Sequence, residues 1–168
     1  EGYEESDLIT INKLADNEKV VSIGEIGLDY HYSKDPILRE KQINLFEKQI
    51  EMAILKGLPV IIHSRDAAKD TYEIMAKKAK MGLTGVLHCY SYSEEQAVEY
   101  VKMGYYIGIG GAITFKNASK KVDMVKRIPI ESILLETDCP YMAPEPVRGT
   151  RNYSGNLVYV AQKIADIK

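Results

Sequence analysis

Pro59-Val60-Ile61-Ile62-His63 is a short apolar run that ends on a side chain able to bind a metal, and the sequence on both sides repeats its logic. Upstream, Val20-Val21-Ser22-Ile23-Gly24-Glu25-Ile26 reads as a buried strand carrying Glu25. Between the two, Asp35-Pro36 is a helix start, a capping carboxylate followed by proline at the first helical position. Ile43, Phe46, Ile50, Ala53 and Ile54 form that helix's apolar stripe, and Gly57 ends it. Strand, helix and strand in that order predict a parallel β-α-β unit.

The cycle continues outward. Ser6 is expected to cap a first helix carrying Leu8, Ile11 and Leu14 and ending near Asn17. Asp66 is expected to cap a helix running to about Lys80, with Gly82 beyond it. Gly85-Val86-Leu87-His88 is a third strand. Ser93-Glu94-Glu95-Gln96 has the capping-box pattern, and its helix ends at Gly104. Tyr105 to Ile109 is a fourth strand, Ser119 to Arg127 a lysine-rich helix stopped by Pro129, and Ile133 to Asp138 a fifth strand. A long proline-containing loop leads to a last helix marked by Leu157, Val160, Ala161 and Ile164, with Asn156 as its expected cap. Six helical and five strand signals alternate. Apolar strands between helices imply a parallel sheet covered on both faces, either doubly wound or a (β/α)8 barrel. No Gly-x-Gly-x-x-Gly opens a helix after the first strand, and Gly108-x-Gly110-Gly111 lacks a Walker-type lysine, so neither dinucleotide nor P-loop binding is supported.

The 168 residues are 45% hydrophobic and 27% charged, ordinary for a globular domain, and one domain over 1–168 is expected. No apolar run of about 18 residues is present to span a membrane. The acidic start, Glu1-Gly2-Tyr3-Glu4-Glu5, has no basic or apolar leader pattern, and the absence of Met at position 1 leads us to expect an incomplete record. The two cysteines, Cys89 and Cys139, have no Cys-x-x-Cys spacing and are expected as reduced thiols filling apolar gaps in a cytoplasmic protein. A net charge of −2 excludes nucleic-acid binding by bulk charge and leaves only a local basic patch.

Ligands and catalytic groups of parallel α/β folds gather at the C-terminal ends of the strands. Four of the five predicted strands place Glu25, His63, His88 or Asp138 there. One histidine in an apolar strand is ordinarily a satisfied core residue. Two histidines and two carboxylates at equivalent ends point to metal, because an unpaired buried carboxylate costs several kcal/mol. Side chains alternate along a strand, so Ile23 is expected to share a face with Glu25, Ile61 with His63, Val86 with His88, and Leu134 and Glu136 with Asp138. Glu136 is then either a residue orienting a ligand or a buried pairing partner. Nitrogen and oxygen donors together suit Zn, Mn, Co or Fe, and the carboxylates admit Mg. Such an ion lowers the pKa of coordinated water and polarises a phosphoryl or carbonyl oxygen. Arg65, Arg148 and Arg151 are candidate phosphate clamps, and Tyr30, Tyr90 and Tyr141, which follow strand ends, are candidate base-stacking rings. Asp29 and His31 are expected near the same mouth. Lys116, Lys120 and Lys121 read as a solvated face.

Gly24-Glu25-Ile26-Gly27-Leu28-Asp29-Tyr30, Pro59 to Arg65, His88-Cys89-Tyr90, Glu136-Thr137-Asp138-Cys139-Pro140-Tyr141 and Arg148-Gly149-Thr150-Arg151-Asn152 resemble, in order, the successive motifs of the TatD-type deoxyribonuclease family of the amidohydrolase superfamily. The resemblance implies a TIM-type (β/α)8 barrel and two divalent metal ions. Glu25 would bridge or bind the first ion, Asp138 would bind the first, and His63 and His88 the second, with Asp138 also the general base. It implies hydrolysis of DNA phosphodiesters, with single strands or ends as the partner. The alternatives are a related hydrolase of another ester or amide, including aminoacyl-tRNA, and an inactive metal-binding fragment. The family's N-terminal His-x-His has no counterpart here, because the histidines are His31, His63 and His88. A whole barrel takes about 250 residues. The chain is therefore expected to carry the family's strands three to seven, to lack the His-x-His strand and the C-terminal end, to have weak activity alone, and to pair through open sheet edges.

Overall fold

The computed structural model describes residues 5–32 and 34–168. The acidic Glu1 to Glu4 segment lies outside them. The order is α1 (Glu5–Leu14), β1 (Ile23–Asp29), α2 (Pro36–Lys56), β2 (Val60–Arg65), α3 (Ala68–Ala79), β3 (Gly85–Leu87), α4 (Glu94–Lys102), β4 (Tyr106–Ile109), α5 (Ser119–Arg127), β5 (Ile133–Leu135) and α6 (Leu157–Ile167). The strict alternation expected from the sequence is present, and the chain is α/β with parallel strand pairing. It divides into two compact units, Glu1–Gly85 and Val86–Lys168.

In the first unit β1 pairs in parallel with β2. Ile23, Ile26 and Leu28 of β1 and Val60 and Ile62 of β2 are buried with Phe46, Ile50 and Ala53 of α2 and Met75 of α3. Asp35 caps α2, its carboxylate accepting from Ile37 N at 2.9 Å, and Gly57 ends it in the left-handed region, both as the sequence implies. Two local readings change. Ser6 lies inside α1, not at its cap, and Ala15 takes the buried position expected of Leu14, which is exposed. Asp66 does not cap α3: it sits at φ 55°, and its carboxylate faces His31 Nδ1 at 2.9 Å instead.

In the second unit β4 lies between β3 and β5, with Leu87 opposite Ile107 and Ile109 opposite Leu135. Ser93 caps α4 through Gln96 N. Tyr100 and Tyr105, both fully buried, meet edge to face at 6.0 Å and form an aromatic core with Tyr90. Asn156 stands at the cap position of α6 as expected but makes no side-chain capping bond; its amide donates to Asn152 Oδ1 at 2.9 Å.

Two strands differ from expectation in ways that move site residues. β1 runs on to Asp29, three residues beyond the expected end. Its register also slips: Ile23 faces Val60 and Ile26 faces Ile62, three residues against two. This is a β-bulge, which reverses the alternation. Glu25 therefore does not share the buried face of Ile23 but is exposed. β5 stops at Leu135, so Glu136 to Asp138 follow the strand and parity does not govern them. Asp138 has φ 55°.

Candidate metal centre

The first unit builds a cluster on His63, in β2. The backbones here approach too closely for side chains. A Cβ at Gly24 would lie 2.6 Å from Ile61 Cβ, and one at Gly27 (φ +148°) would overlap the His63 carbonyl oxygen. Glycine at both positions lets β1 bulge tightly against β2. The bulge turns Glu25 toward the imidazole: Glu25 Oε1 is 2.9 Å from His63 Nδ1. Asp29, at the end of the extended β1, approaches the other nitrogen, Oδ2 to Nε2 at 3.2 Å. Gln42 of α2 holds Asp29 in place, accepting from its N–H at 2.8 Å and donating to its carbonyl at 2.9 Å. Asp29 Oδ1 also accepts from His31 N at 2.9 Å.

The second unit repeats the device on His88, which sits in the turn after β3. Glu136 Oε2 is 2.7 Å from His88 Nδ1, and Oε1 accepts from Cys89 N at 2.6 Å. Gly108 makes room for that carboxylate, since a Cβ there would collide with it. Asp138 Oδ1 lies 3.5 Å from His88 Nε2, an ion-pair distance rather than a good hydrogen bond. The Asp138 loop is pinned by the buried Asn152, whose amide donates to the carbonyls of Thr137 (2.8 Å) and Tyr141 (2.7 Å). Glu136 is thus His88's partner, the pairing that the sequence offered as one of two roles.

Both ring nitrogens of each histidine face carboxylates. An ionised carboxylate only accepts, and a neutral imidazole has one N–H to donate. At each ring one nitrogen and one carboxylate oxygen therefore face each other with no proton between them unless a second proton or a metal cation sits there. In kind, the donors fit a divalent ion: imidazole nitrogen, carboxylate oxygen, and a carboxylate on the far nitrogen that fixes the tautomer. In number they fall short, because among the described residues no group of three or more His, Cys, Asp or Glu is arranged to hold a metal. An ion held here would take its remaining donors from outside these residues.

The other predicted site residues are distributed as follows. Arg65 ends β2, exposed, with Cζ 5.3 Å over the Tyr32 ring. Arg148 stacks at 4.1 Å on Phe115 and is 3.9 Å from Glu145, so a structural contact accounts for its position. Arg151 is exposed in the loop after Asp138. Tyr30 and Tyr90, candidates for base stacking, are only 6% and 3% exposed. Tyr30 donates to Asp70 at 2.7 Å, and burial raises both phenol pKa values well above the usual range. They are core residues; Tyr141 is 72% exposed. Cys139 is exposed and does not fill an apolar gap. Lys121 is not a solvated lysine. Its Nζ donates to the Tyr90 carbonyl at 2.6 Å, and desolvation holds its pKa below the ordinary lysine value. Asp29 enters the site because β1 runs past Ile26, where the sequence pattern ends it. Leu28, which continues the apolar alternation past Gly27, was the available signal.

A family model described as TatD related DNase matches residues 1–168. The chain is 45% identical to the uncharacterized metal-dependent hydrolase YabD of Bacillus subtilis over 98% of its own length and 64% of that protein's. It is 37% identical to the metal-dependent hydrolase YcfH of Escherichia coli over 96% and 60%. A crystal structure of YJJV, a TatD homologue of Escherichia coli, superposes with a TM-score of 0.89 at 33% identity, covering 98% of this chain and 63% of that one. A hydrolase TatD family protein of Entamoeba histolytica gives 0.79 at 27% identity over 100% and 62%. The α/β, TIM-type (β/α)8 class expected from the sequence is therefore the fold, in part. The chain spans somewhat under two thirds of the length of these relatives.

Proposed function

The chain belongs to the TatD related DNase family, and from that we propose that the protein is a divalent-metal-dependent hydrolase that cleaves phosphodiester bonds of DNA, acting on single strands or ends. The observation that carries the metal is the pair of histidines, each with carboxylates on both ring nitrogens. In this reading Glu25, His63, His88 and Asp138 are metal ligands. The bound ion would supply Lewis-acid polarisation of a phosphoryl oxygen.

The protein's own groups do the rest. Glu136 holds Nδ1–H of His88, so Nε2 presents its lone pair. Asp138, on a turn fixed by Asn152, is the group to take a proton from the attacking water: it stands 3.5 Å from His88 Nε2, beyond a good hydrogen bond, and its side chain is 40% exposed. Arg65 and Arg151, both exposed, are the phosphate-binding cations. Metal analysis of the full-length protein should return two divalent ions per chain, drawn from Mg, Mn, Zn, Co and Fe.

The test is cleavage of a labelled single-stranded oligodeoxynucleotide by the full-length protein between pH 6 and 9. Turnover should require added Mg or Mn and stop with chelator. Asp138→Asn should slow it by roughly 10²- to 10⁴-fold, the span of a lost general base. Cleavage that survives chelation, or an Asp138→Asn enzyme with unchanged rate, would refute the assignment.

A further inference from the structure

The two tyrosines that follow the first and third strands are core residues, but the loop after β1 exposes a different ring. Tyr32 is 83% exposed, yet its neighbours hold it. The His31 imidazole meets it edge-on with centroids 4.7 Å apart, and the Arg65 guanidinium lies 5.3 Å over it. His31 is itself fixed at two points, its N–H on Asp29 Oδ1 and its Nδ1 on Asp66 Oδ2, both at 2.9 Å. Asp66 takes a left-handed conformation at φ 55°, and no N-cap bond engages its carboxylate. An aromatic ring is thus displayed to solvent with a cation on it and an imidazole at its side, three residues beyond Asp29, which touches His63.

We propose that Tyr32 is a nucleobase-stacking platform for single-stranded DNA, with Arg65 receiving the phosphate next to the stacked base and His31, held through Nδ1 by Asp66, buttressing the ring. This inference rests on the nuclease reading above and adds the feature that reading lacks, a contact to the base. The chemistry matches a sequence-tolerant single-strand subsite, which needs an accessible ring and a neighbouring cation. Asp66 and Asp29 hold His31 before ligand arrives, so little ordering remains to oppose binding.

The experiment is equilibrium binding of a fluorescent single-stranded oligodeoxynucleotide to the full-length protein in chelator, where cleavage does not intervene. A series of the same oligonucleotide carries one abasic site at each position in turn. Tyr32→Ala should weaken binding of the intact strand roughly 5- to 100-fold, the range for one stacked base, while Tyr32→Trp keeps it. The wild type should lose affinity sharply at one abasic position, and Tyr32→Ala should show no such position. Equal affinity of wild type and Tyr32→Ala, or the same abasic profile in both, overturns the proposal. Metal-dependent cleavage is scored separately. Cleavage with no effect of Tyr32 on binding overturns the platform alone, and absence of both binding and cleavage overturns the nuclease reading with it.

Discussion

Glu136 shows how much one side chain can fix. Its two oxygens accept from two different donors, His88 Nδ1 and the Cys89 N–H. A glutamine there offers only one oxygen and turns an NH2 toward a donor. Glu136→Gln should therefore weaken metal binding by roughly 10- to 100-fold, as loss of a group that orients a metal-bound histidine does. Titration calorimetry with Mn or Zn on the full-length protein measures this directly, and unchanged affinity would show that Glu136 does not set the His88 ring. The histidines, Glu25 and Asp138 were legible as a pattern because polar residues closing apolar runs stand out. Glu136 was half legible, as one of two roles. Tyr32 was not legible, because nothing in a run of twelve tyrosines distinguishes the exposed ring from buried ones.

At the scale of elements, the α2, α4 and α5 boundaries followed from local chemistry: Asp35-Pro36 and Gly57, the Ser93 cap, and the stop at Pro129. The strands were harder. A bulge inserts one residue without changing composition, so the slip between Ile23 and Ile26 leaves no mark in hydrophobicity. It is written in the glycines instead. Gly27 adopts φ +148° against the His63 carbonyl, where an L side chain is strained and has no room. Gly27→Ala should cost roughly 1–3 kcal/mol from backbone strain alone, with more from the collision, read as a lower urea midpoint. A midpoint within error of wild type would mean that β1 does not need this geometry. Asp66 and Asn156 make no capping bond in a common way: each engages a polar side-chain partner instead, His31 for one and Asn152 for the other.

Across these 168 residues as a whole, a net charge of −2 leaves no diffuse field to hold DNA. Affinity for a single strand should then depend on salt with a log–log slope no steeper than about −1.5, given roughly −0.7 per neutralised phosphate and the two arginines assigned to phosphate, Arg65 and Arg151. Binding measured from 50 to 300 mM salt checks it, and a slope of about −5 would demand a basic surface that Arg65 and Arg151 do not account for. The architecture as a class was readable from alternation alone. The shortness of β3 and β5 was not, because residues after them keep a strand-like sequence while turning to aim His88 and Asp138. One side chain also sets a limit on β1. Asp29's own N–H and C=O point away from β2, whose partner across the ladder is Arg65, bonded instead to Tyr30 N. Gln42 occupies both groups as a neighbouring strand would. The amide is a one-residue splint that stops the ladder there: any chain zipping along this side of β1 must halt short of Asp29 or evict Gln42, which keeps the carboxylate beside His63 out of the reach of strand exchange.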